Sequence, residues 1–71
     1  MTIDEINNLT AKFHEEFASK NIPAAYELYT QICVEVRKHG VPFFITYTSD
    51  NFTDEEIYLL SDYAKQLSSN H

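Results

Sequence analysis

Apolar residues recur at three- and four-residue intervals through most of the chain, the spacing that lines one side of an α-helix. Ile6, Leu9, Phe13 and Phe17 make the first stripe, with Asp4, Asn8, Lys12, Glu15 and Ser19 on the opposite, wet side. Thr2 and Glu5 have the spacing of a capping box, and Met1 and Ile6 that of a hydrophobic staple. These signals predict a helix over about 3–19. Pro23 then opens a second helix, over about 23–39, because its fixed φ suits a first turn and its missing N–H is not needed there. Ala25, Leu28, Tyr29, Ile32 and Val36 form its buried stripe, with Tyr26 and Cys33 on the flank. Arg37, Lys38 and His39 place positive charge in its last turn, and Gly40 falls where a left-handed C-terminal cap is wanted.

A different pattern follows. Phe43 to Thr48 is wholly aromatic or β-branched, and alternation would turn Phe43, Ile45 and Tyr47 one way and Phe44, Thr46 and Thr48 the other. This predicts a short extended or β segment over about 43–48, broken by Ser49-Asp50-Asn51. A last helix, over about 54–68, starts behind a second capping box, Thr53 with Glu56, and a staple from Phe52 to Ile57. Its stripe is Ile57, Leu60, Ala64 and Leu67, with Tyr63 at the edge, and residues 68–71 should fray. The expected fold is therefore mainly α: one three-helix domain over residues 1–71 with a single extended segment between the second and third helices.

A lone strand leaves two edges of unpaired backbone groups, at about 1–3 kcal/mol for each one buried without a partner. Two arrangements resolve this. Residues 43–48 can be an extended connector whose aromatic rings plug the helical core. Alternatively they pair across a subunit boundary, with a twin or with a partner's sheet edge. A 71-residue core rarely nets more than about 3–5 kcal/mol, which favours the second. The expectation is a homodimer with Phe43, Phe44, Ile45, Tyr47 and Phe52 at the interface.

Charge narrows the class of partner. Five Lys and Arg against eleven Asp and Glu give a net charge of −6, the wrong sign for displacing counterions from nucleic acid or docking on anionic lipid. A hydrophobic content of 44% is too high for a disordered tail. Cys33 is the only cysteine, so no internal disulfide can form. The free thiol, together with a start that lacks a signal-peptide pattern and a sequence without a membrane-length apolar run, leads us to expect a cytoplasmic protein.

A search for catalytic or metal chemistry yields little. His14-Glu15-Glu16 lacks the second histidine of a zinc-protease helix, since position 18 is Ala, and consecutive helical residues diverge by about 100°. Cys33 and His39 are too far apart on one helix to act as nucleophile and base. Asp50, Asp54 and Glu56 fail as a calcium loop at Phe52 and for want of a central glycine. No enzyme, cofactor or metal site is expected.

What remains is a surface. Between Val41 and Ala64 there is no Lys or Arg, while Asp50, Asp54, Glu55, Glu56 and Asp62 are all acidic. Tyr58 and Leu59 fall off the apolar stripe of the last helix and should be exposed among those acids. Aromatic anchors with a charged rim mark recognition sites. The expected function is a non-enzymatic acidic interaction module that regulates or inhibits a partner with a basic surface, binding through Asp50, Asp54, Glu55, Tyr58, Leu59 and Asp62. Its charge is also that of small inhibitors from phage or mobile elements that imitate nucleic-acid phosphates. The alternative is a small structural subunit or assembly factor that donates residues 43–48 to a partner's sheet.

Overall fold

The computed structural model describes residues 1–69 and contains four helices: α1 (Ile3–Ala18), α2 (Ile22–Arg37), α3 (Val41–Asn51) and α4 (Asp54–Ser69). The mainly helical expectation holds, with three of the helices within two residues of their predicted limits. Asn70 and His71, where fraying was expected, lie outside the described residues, and Ser68 and Ser69 belong to α4. The other three helices each pack on α2.

Helix α1 begins as its sequence dictates. The Thr2 side chain accepts from the Glu5 backbone N–H, and the Glu5 carboxylate accepts from Thr2 N–H, so the capping box is complete. Its end is less expected. Lys20, at φ 63°, occupies the left-handed position that glycine usually fills. Lys20 N–H donates to the Phe17 carbonyl and Asn21 N–H to that of Glu16, the paired bonds of a Schellman turn. Helix α2 stops at Arg37, earlier than predicted, and Gly40 serves the next element. At φ 114° and ψ 155° it has an extended conformation open to glycine alone, and it is the N-cap of α3 rather than a left-handed cap of α2.

The predicted extended segment is the correction. Residues 43–48 lie within α3, and the expected break at Ser49-Asp50-Asn51 is helical too. The aromatic and β-branched run favours a strand locally, but a single strand has no partner for its amides, whereas a helix pairs them within itself. Pro42 fits the first turn, where its missing N–H is harmless. Thr48 and Asn51 donate side-chain bonds to the Phe44 and Tyr47 carbonyls one turn back. Helical geometry also changes which side chains turn inward: Tyr47 and Phe52 are buried, Phe43 and Phe44 half-buried, and Ile45 is 58% exposed. Four of the five residues expected at a dimer or strand interface therefore contribute to the chain's own packing.

The core consists of Ile6 and Phe13 from α1, Ala25, Ile32 and Val36 from α2, Tyr47 from α3, Leu60 from α4, and Phe52 from the α3–α4 junction. Phe52 meets Phe13 edge-on at 5.0 Å and Tyr29 at 5.1 Å between ring centroids. Buried polar groups are matched: Thr10 Oγ1 lies 2.7 Å from the Tyr47 hydroxyl and 3.0 Å from the Ile6 carbonyl oxygen, and the Tyr47 hydroxyl donates to Asn7 Oδ1. Phe44 carries the Arg37 guanidinium over its ring at 4.7 Å.

Candidate functional site

Helix α4 buries Leu60 and Glu56 against the rest of the molecule and turns its opposite side outward. At about 100° per residue, Asp54, Tyr58 and Asp62 form one line along that outer side, with Glu55 and Leu59 beside it. Tyr58 is 70% exposed, and Asp54, Glu55, Leu59 and Asp62 are exposed around it. Five of the six expected partner-binding residues therefore share one face. The sixth, Asp50, is exposed on the last turn of α3, off that line. Lys65 follows Tyr58 two turns later and closes the acidic stretch.

The first turn of α4 is well anchored. Thr53 N–H donates to Glu56 Oε1 at 2.8 Å, and Glu56 N–H donates to Thr53 Oγ1, the second capping box. Glu56 is thereby turned inward, leaving Asp54 and Glu55 as the first-turn acids that reach solvent. Their charge also complements the positive end of the helix dipole, so the fold tolerates carboxylates here without strain.

Beside this face runs a groove that the apolar stripe did not reveal. Leu59, Asp62, Tyr63 and Gln66 of α4 meet Ile22 at the start of α2 in an open cleft. Tyr63 also walls an adjoining depression with Pro23, Ala24, Tyr26 and Leu67. Tyr26 and Tyr63 meet edge-on at 5.4 Å. Leu67, predicted to be buried, is 42% exposed and lines that depression. The groove places aromatic and aliphatic surface directly beside the carboxylates of the Tyr58 face.

Among the described residues no three His, Cys, Asp or Glu side chains come together in a metal-binding group. Burial pushes the Cys33 thiol up in pKa, and burial beside Cys33 pushes the Tyr29 hydroxyl up to about 12, which leaves both neutral near pH 7. Among the described residues no helix is long and apolar enough to cross a membrane.

His14 is a contact that the sequence did not reveal. Its ring reaches both the Asn51 carbonyl and the Glu56 carboxylate. No local spacing signals a contact between residues so distant along the chain.

Comparison with protein-family models, curated proteins and solved structures finds no match to this chain.

Proposed function

We propose that this chain is a non-enzymatic protein-interaction module, and that the outer face of α4 binds a basic patch on a partner protein. The observation that carries this reading is Tyr58: a large aromatic side chain, 70% exposed, in line with Asp54 and Asp62 and flanked by Glu55 and Leu59. Carboxylates steer a basic partner toward the face, and Tyr58, Leu59 and the adjoining groove supply the apolar contact that retains it. By covering its partner's functional surface, the module regulates or inhibits it.

The test is a charge reversal that leaves the core alone. Asp54→Lys combined with Glu55→Lys should abolish partner capture at low salt and remove its salt dependence. Unchanged capture with unchanged salt dependence sinks the steering argument.

A homodimer is a second reading with a narrower basis. Val41 and Ile45, one turn apart on α3, are 66% and 58% exposed. They form an apolar, charge-free strip on a molecule that otherwise repels its own copies. Sedimentation equilibrium at micromolar concentration should show mass above the monomer, and Ile45→Glu should remove it. A monomer throughout the concentration range removes this reading.

A further inference from the structure

Leu59 and Leu67 leave apolar surface in water where α4 meets the start of α2, at 38% and 42% exposed. Between them stands Tyr63, which walls both depressions of the groove, the first with Ile22 and Asp62 and the second with Pro23, Tyr26 and Glu27. Its edge-on contact with Tyr26 braces that shared wall, so the groove is built from packed side chains of two helices. Neither depression closes over, and a small molecule lying in it would remain largely in water. The two leucines stand about 12 Å apart along α4 at the helical rise of about 1.5 Å per residue. An occupant that reaches both therefore needs apolar side chains about two helical turns apart.

The charge on the groove has one sign. A carboxylate borders each depression, Asp62 the first and Glu27 the second, and among the described residues no Lys, Arg or His lines either. Gln66 Nε2 donates to Asp62 Oδ2 at 3.1 Å and holds that carboxylate at the rim. A third, Glu16, stands at the turn into α2, where it accepts from Asn21 Nδ2 at 2.8 Å. Lys20 and Lys65 are the nearest cations in sequence, and neither depression includes them. An acidic occupant would bring like charge to these rims, and so would a second copy of this chain, at a net −6. A cationic occupant matches them.

We propose that the groove between α4 and the start of α2 seats one cationic amphipathic helix of the partner, with aliphatic side chains against Leu59, Tyr63 and Leu67 and Lys or Arg beside Asp62 and Glu27. The proposal rests on the reading of this chain as an interaction module and names the segment of the partner that it takes. A helix carries apolar side chains at i, i+4 and i+7 on one face, which supplies the two-turn spacing and leaves its flanks free for charge. Arginine on those flanks would also stack on the open faces of the tyrosine rings. The carboxylates of the Tyr58 face attract the basic surface around that helix, and the groove selects the helix itself.

The experiment titrates the isotope-labelled chain with an alanine-based peptide, acetylated and amidated, that carries leucines at helical spacing flanked by arginines. Amide NMR shifts should move over residues 22–27 and 59–67 and leave α3 still. The same peptide with Glu for Arg, or with Ser for Leu, should not bind. Glu27→Lys and Leu67→Ser, both at exposed positions, should fold and should each weaken the peptide roughly tenfold at low salt. Val41→Ser, on α3, should bind it as wild type does. Absence of shifts in the groove, equal binding of the Glu peptide, or undiminished binding in both groove variants overturns the proposal. So do groove shifts that follow protein concentration without peptide, which would make a second copy the occupant. Groove binding of the peptide alongside partner capture that ignores Tyr58→Ala supports the groove and faults the Tyr58 face alone. Capture that depends on Tyr58, with no peptide in the groove, overturns this proposal and leaves that face standing.

Discussion

Phe52 stands perpendicular to Phe13, ring centroids 5.0 Å apart, and so joins the α3–α4 junction to the centre of α1. Edge-to-face pairs of this kind add about 0.5–1.5 kcal/mol beyond the area they bury. Phe52 also touches Tyr29 of α2, so one residue from a two-residue connection reaches two other helices. Truncation to Ala should cost about 3–5 kcal/mol, as large as the whole net stability expected of so small a domain. Phe52→Ala should accordingly be largely unfolded at room temperature by circular dichroism. A cooperative melt close to that of wild type contradicts this account of the core.

Lys20 should be improvable. A non-glycine residue in the left-handed region costs about 1–2 kcal/mol, partly offset in glycine by its greater unfolded-state freedom. Lys20→Gly should therefore raise unfolding free energy by about 0.5–1 kcal/mol in urea denaturation. A destabilised variant would show that the Lys20 side chain contributes something that its exposed position does not suggest.

Cys33 should be a sluggish thiol. Burial raises its pKa, and Tyr29 beside it offers only a partly offsetting hydrogen bond. Since the thiolate is the reactive form, alkylation of the folded protein at mildly alkaline pH should run well below the rate in urea-unfolded protein. Equal rates in the two states would mean that the α2 flank opens freely.

Acid should act through two glutamates. The bonds from Thr2 hold the Glu5 carboxyl below its ordinary value of 4.5, and those from Lys38 and the N-terminal ammonium do the same for Glu35. A depressed folded-state pKa contributes stability above the unfolded value and loses it as pH falls through the folded one. Stability should thus decline below about pH 4.5, and Glu5→Gln with Glu35→Gln should flatten that decline. An unchanged acid limb in the double variant would assign the loss to other carboxylates.

Helix α1 was legible because its stripe, its cap and its staple all specify one element, and Ile6 and Phe13 are fully buried where that stripe places them. Residues 43–48 were not, because an unbroken run of aromatic and β-branched residues satisfies both periods. Phe43, Phe44 and Tyr47 share one side of a helix as readily as Phe43, Ile45 and Tyr47 share one side of a strand. Backbone pairing, which a single strand lacks and a helix supplies, decided the outcome over β propensity. The exposed position of Tyr58 was legible from its distance off the α4 stripe. The groove beside it was not, since it depends on where Ile22 and Tyr26 of α2 come to lie against Tyr63. The His14 contacts have no local signal at all.

The recognition claim rests on the outer face of α4, and parallel affinity capture most directly tests it. Wild type, Tyr58→Ala and Val41→Ser would be used as baits in extracts of the native host. An exposed aromatic hot spot is worth about 2 kcal/mol or more, so Tyr58→Ala should weaken the salt-sensitive partner roughly 30-fold. Val41→Ser, on another helix, should retain it. Equal capture by all three baits would contradict the assignment of this face.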